Sequence, residues 1–225
     1  MTFSIIGRCA ETGQLGIAIS SSSICVGARC PWVRAGVGVV ATQNVTLPAL
    51  GPQILDLLAD GALEPQQAMD RALRANGWSQ YRQVSVIDSQ GRSACFTGAE
   101  ALGLHQALAG EQCVAAGNML ANPQVIETMV RAFENAPGVL AERLLRAMRA
   151  GQDAGGEAGP VHSAALTVVG DLLWPIVDLR VDWADEEPIA QLESLWQSYR
   201  PQMQDYLTRA LDPTAAPSYG VPGDE

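Results

Sequence analysis

Thr2-Phe3-Ser4-Ile5-Ile6-Gly7-Arg8 and Gln14-Leu15-Gly16-Ile17-Ala18-Ile19 are two short apolar runs separated by Glu11-Thr12-Gly13. The glycine can take the positive φ that a tight turn needs, so the segment predicts a β-hairpin with strands at 3–8 and 14–19. Ser20 to Ser23 reads as a polar loop and 37–42 as a third apolar strand. Helical spacing then replaces alternation. Ile54, Leu57 and Leu58, then Ala68, Met69, Ala72 and Leu73, predict a helix pair at 50–60 and 65–76.

The same order recurs downstream. Strands are expected at 83–88, 93–97 and 112–116, and helices at 122–135 and 138–150. Gly151 to Gly159 reads as a flexible connector. Two last strands follow at 163–169 and 176–181, and a long helix at 186–211, kinked or interrupted by Pro201. Asp212 to Glu225, with three prolines, is expected to be disordered. Hairpin connections imply largely antiparallel sheets. Two helix pairs cannot both cover one face of one small sheet, so the expected fold is α+β: a four-layer αββα sandwich in one domain, residues 1–211.

Composition narrows the function. The chain has 225 residues, is 48% hydrophobic and carries a net charge of −10; all 14 of its basic residues are Arg. An acidic, lysine-free chain is a poor phosphate binder, so nucleic acid is not an expected partner. No apolar run approaches the roughly 20 residues of a membrane span, and no charged region precedes an apolar stretch as in a signal peptide. Cys9, Cys25, Cys30, Cys95 and Cys113 are odd in number and hold no C-x-x-C pair. They read as reduced, mostly buried thiols of a cytoplasmic protein. With only His105 and His162, and no metal-ligand spacing, neither a metal nor a cofactor is expected. Gly36-Val37-Gly38-Val39-Val40-Ala41 matches G-x-G-x-x-A, but it runs into β-branched residues and reads as a strand, not the turn that opens a dinucleotide-binding helix.

Serine-hydrolase chemistry lacks its usual parts, since no G-x-S-x-G elbow accompanies either histidine. Thr2 offers another route. Its side chain is small enough for removal of Met1, which would place an α-amine and a β-hydroxyl on one residue. That amine, with an unperturbed pKa of about 7.7–8.0, can serve as the base for its own hydroxyl. Asn118, in a strand-to-helix loop, is the best oxyanion donor by residue type, with Asn44 second. Gln43 and Asn44 end a strand. Asp178 and Arg180 alternate with apolar neighbours and so share one face, as a salt bridge or part of a pocket.

The whole pattern resembles one bacterial and archaeal family, domain of unknown function 1028. The resemblance rests on Thr2-Phe3-Ser4-Ile5-Ile6, Thr12-Gly13-Gln14-Leu15-Gly16-Ile17-Ala18, Val26-Gly27, Pro31-Trp32-Val33-Arg34-Ala35-Gly36-Val37-Gly38 and Ala41-Thr42-Gln43. It continues in Phe96-Thr97-Gly98, Gly117-Asn118-Met119-Leu120 and Asp178-Leu179-Arg180-Val181-Asp182. It implies the N-terminal-nucleophile (Ntn) hydrolase fold but no settled reaction. Carried over by position, Thr2 stands where such hydrolases place the nucleophile. Arg34 stands where proteasome-type members carry a Lys, and could steady the free amine or bind an acidic group.

The expectation is therefore a hydrolase of small amides. Thr2, Asn118 and Arg34 would be catalytic, and Gln43, Asn44, Asp178 and Arg180 would contact a small-molecule substrate. The alternative is a non-catalytic small-molecule-binding or scaffold protein on the same fold. A nucleophile from the Ser20–Cys25 loop is a third option. Trp196, Tyr199 and Tyr206 on the closing helix serve either homo-oligomer formation or the last layer of the core.

Overall fold

The structure is a computed structural model and describes residues 1–221. The opening hairpin forms from β1 (Thr2–Arg8) and β2 (Leu15–Ser21), with Thr2 opposite Ser21 and Arg8 opposite Leu15. Then follow β3 (Pro31–Arg34), β4 (Gly38–Asn44), α1 (Leu50–Ala59) and α2 (Pro65–Ala75). The middle of the chain holds β5 (Arg82–Asp88), β6 (Ser93–Thr97), β7 (Gln106–Gly110), β8 (Cys113–Asn118), α3 (Gln124–Asn135) and α4 (Leu140–Asp153). The last elements are β9 (Ser163–Val169), β10 (Val177–Val181), α5 (Pro188–Tyr199) and α6 (Met203–Leu211).

Among the described residues the strands make two antiparallel sheets, ordered β10-β9-β2-β1-β8-β7 and β3-β4-β5-β6. Alternation along β1 sorts its side chains. Phe3 and Ile5 pack outward against Met129, Phe133 and Leu144 of α3 and α4. Ile6 instead faces Ile17, Val39, Ile87 and Val114 between the two sheets. On the far side, Val40, Val84 and Val86 of the smaller sheet bury against Ile54 and Met69 of α1 and α2. The layers are αββα, as expected.

Several elements differ from the sequence reading. β3 and β7 were not expected as strands. Both are half-buried edge strands, and β7 (Gln-Ala-Leu-Ala-Gly) has no β-branched residue, so its conformation comes from pairing with β8. Ser20 and Ser21 belong to β2, not to a loop, because Phe3 and Thr2 pair with them on one side and Ala164 and Ser163 on the other. The stretch taken as a flexible connector is helix to Asp153, and its remainder is tied down by a bridge from Glu157 to Leu120. Pro201 divides the closing helix into α5 and α6. Ile189, Leu192 and Trp196 of α5 lie in the core, and Tyr199 donates to the carbonyl of Ile176 at 2.9 Å. Beyond Asp212, Pro213–Ala215 forms a 3-10 turn and the Arg209 guanidinium sits 3.8 Å above the Tyr219 ring; residues 222–225 of the tail lie outside the described residues. Among the described residues no helix is long and apolar enough to cross a membrane.

Candidate active site

At one end of the sandwich the apolar filling between the sheets gives way to polar side chains. The alternation that points Ile6 inward also points Ser4 and Thr2 inward, and the register sets Ser21 and Asn118 on either side of Thr2. All four are buried, with Thr2 only 6% exposed. Thr2 Oγ1 donates to the carbonyl of Met1 at 2.5 Å and lies 3.1 Å from Ser21 Oγ. Ser21 Oγ also donates to the Met1 carbonyl, and accepts from the backbone N–H of Ser23 at 3.1 Å. Two hydroxyls thus converge on one carbonyl oxygen.

Behind Thr2 lies a chain of amides. Ser4 Oγ donates to Gln43 Oε1 (2.7 Å), and Gln43 Nε2 donates to Gln83 Oε1 (2.8 Å). Asn118 Nδ2 donates to the same oxygen at 3.2 Å. Gln83 Nε2 faces Gly117 O (3.0 Å), Thr97 Oγ1 (3.1 Å) and Gln106 O (3.3 Å). Gln83 belongs to the smaller sheet and Gly117 and Asn118 to the larger, so this network joins the sheets. It also narrows the expectation for Asn118. One of its two Nδ2 N–H groups is held by Gln83, and its acceptor Oδ1 is buried with no partner. The donor aimed at a carbonyl is Ser21.

A residue not singled out from the sequence completes the site. Glu157 is 6% exposed; among the described residues no cationic side chain reaches its carboxylate oxygens, and only Ser22 lends them weak hydrogen-bonding support. Backbone contacts place it there. Ala121 N–H donates to Gly156 O at 3.0 Å and Ala158 N–H to Met119 O at 2.9 Å, which straps the segment against the loop that follows Asn118. Burial pushes its carboxyl up to about 8, while the Met1 ammonium and Ser22 pull the other way. Only a lone acidic residue after Gly155-Gly156 marked it in the sequence, and its burial depends on contacts far along the chain.

Of the other expected site residues, Gln43 is present in the amide chain, but Asn44 lies beside the site with its amide committed. One N–H of its Nδ2 donates to Tyr81 O (2.6 Å) and its Oδ1 accepts from Leu102 N–H (3.2 Å), which ties the amide to the backbone of those two segments. Arg34 is not brought to Thr2. It pairs with Asp56 of α1 at 2.7 Å and sits opposite Gly38. Gln43 is most of the length of β4 away, about 17 Å at the usual strand rise. Asp178 and Arg180 do share a face, and bond to each other through two contacts of 2.9 and 3.0 Å on an exposed edge strand. Two strands lie between them and β1, which removes them from Thr2 by about 14 Å. His105 and His162 direct Nδ1 at the backbone carbonyls of Gly103 and Ala184, both at 2.9 Å, and His162 stacks on Trp183.

The chain's likeness to known proteins covers nearly all of these elements. Protein SPO2555 from Silicibacter pomeroyi, whose crystal structure carries the DUF1028 family assignment, is 31% identical. The likeness spans 91% of this chain and 89% of that one, with a TM-score of 0.85. Anbu (ancestral beta-subunit) from Yersinia bercovieri is 11% identical over 90% of this chain and 96% of its own, with a TM-score of 0.43, a likeness too slight to bear on function. No functionally curated protein matches the sequence. The profile of the family of unknown function DUF1028 matches residues 2–192, from the first strand into α5. The chain belongs to that family.

Proposed function

We propose that this protein is an N-terminal-nucleophile hydrolase of a small amide, with Thr2 as the nucleophile once the Met1–Thr2 peptide bond has been cut. The reading rests on the convergence of the Thr2 and Ser21 hydroxyls on one partly buried carbonyl oxygen. Cutting the bond would free the Thr2 amine, which takes the proton of Oγ1 directly or through one water. Oγ1 then adds to the substrate carbonyl carbon. Ser21 Oγ–H donates to the oxygen that becomes negative, as it now donates to the carbonyl of Met1. The protonated amine passes its proton to the leaving nitrogen, the C–N bond breaks and an ester remains on Thr2. Water, deprotonated by the same amine, hydrolyses the ester and restores Thr2. Asn118 Oδ1 would accept from the Thr2 ammonium, and Gln43 and Gln83 keep Asn118 in place.

While the Met1–Thr2 bond is intact, Thr2 has no free amine and its hydroxyl is engaged by Met1. That observation favours the second reading, a binding protein without chemistry, for any molecule left uncut. The mass of the N-terminal peptide separates cut from uncut protein. On cut protein, a screen of small amides should find a substrate. Thr2→Ala should lower its turnover about a thousandfold or more, and Ser21→Ala by roughly 100-fold. Full activity in Thr2→Ala, or in protein that keeps Met1, sinks the Thr2 mechanism and points to the Ser20–Cys25 loop.

A further inference from the structure

We propose that Glu157 and Gly159, together with Ser21, form a subsite for an acyl group bearing an α-ammonium, so that the substrates are amides of α-amino acids. The proposal rests on the hydrolase reading of Thr2. Met1 fills this space in the uncut chain, and each of its three parts meets a counterpart. Its carbonyl oxygen accepts from Ser21 and Thr2. Its side chain runs over Gly159, where a Cβ would come within 2.9 Å of the Met1 Cε, so the missing side chain makes the room. Its ammonium acts on the Glu157 carboxyl through charge, pulling against the effect of burial.

The carboxylate is the decisive part. A buried carboxylate without a partner is costly and takes up a proton instead, and a buried polar group left unbonded in a native fold calls for an explanation. Glu157 receives no hydrogen bond from any arginine among the described residues, and the chain has no lysine. The protein therefore supplies no side-chain cation for it. Once Met1 leaves, the carboxylate faces the space that Met1 held. An α-ammonium beside the scissile carbonyl would let the Glu157 carboxyl ionise against it, forming an ion pair that exclusion of water strengthens.

The test uses two probes of the same shape, L-methioninamide and its uncharged N-acetyl derivative. They are titrated calorimetrically into Thr2→Ala protein freed of Met1, so that neither is consumed. The expected result is binding of methioninamide about tenfold or more tighter than the acetylated probe, a preference that a further Glu157→Gln change erases. Circular dichroism checks that variant's fold, and the two-probe comparison with Glu157 in place needs no such variant. Equal binding of the probes, or no binding of either, overturns the proposal, as does a preference that survives Glu157→Gln. The two readings fail separately. Ammonium preference without turnover of any amide by cut, Thr2-containing protein keeps the subsite and removes the hydrolase; turnover of neutral amides without the preference does the reverse.

Discussion

Glu157 has a consequence for stability that is independent of catalysis. The groups facing it are the Met1 ammonium and Ser22, and burial outweighs both, holding the carboxyl at about 8 against an ordinary 4.5. The folded chain therefore keeps a proton that the unfolded chain releases. This group's contribution is fully present below the ordinary value and is lost as pH rises towards 8. The slope reaches about 1.4 kcal/mol per pH unit. Urea unfolding of the Met1-bearing chain should show stability falling through that window, and Glu157→Gln should flatten the fall. A slope unchanged by the substitution refutes the assignment. Residue identity alone told only part of the site. Thr2, Gln43 and Asn118 stand out as polar positions at strand ends and do meet. Arg34, Asp178 and Arg180 stand out as charges beside apolar runs, yet they pair locally with Asp56 or with each other. Charge pattern shows that a partner is needed and not which one.

At the scale of elements, periodicity was a good guide wherever a helix or strand buries a full face. The two helix pairs and the central strands lie within a few residues of their expected positions. It failed for β3 and β7, which are short, half-buried and held by a neighbour rather than by their own composition. It failed also for Ser20 and Ser21, whose polarity suits a loop until the polar end of the core is known. The contact of α1 with β3 was equally hidden. A Cβ on Gly51 would lie 2.1 Å from Trp32 Cγ, so helix and strand touch through the bare backbone of one residue. Gly51→Ala gains about 1 kcal/mol of helix propensity but has to displace an indole ring. The overpacking should prevail, with a net loss of roughly 1–3 kcal/mol of unfolding free energy, read as a lower urea midpoint. A more stable variant would mean that the Trp32 ring can turn aside without cost.

In the whole molecule, Gln83 is the clasp between the sheets. It is fully buried, accepts from Gln43 and Asn118, and donates to groups on both sheets. Gln83→Leu keeps most of the volume and strands several of those groups, at roughly 1–3 kcal/mol each. For a chain of this length, each kcal/mol corresponds to about 2–4 °C, so melting should fall by some 5 °C or more. A melting point unchanged by Gln83→Leu would mean that water replaces the amide. The layer order was legible because four helices and two sets of hairpins leave few ways to cover every apolar face; the clasp was not, because its glutamines lie in separate strands that only the fold brings together. The outer strands are where copies of a sheet protein would pair edge to edge. Where β6 and β7 run alongside each other, the sandwich closes on itself. The two remaining borders are guarded. β3 opens with Pro31, which offers no N–H for pairing, and β10 carries Asp178 and Arg180 in alternation. The salt bridge between Asp178 and Arg180 puts charge on an open sheet edge, a feature that disfavours strand-to-strand aggregation.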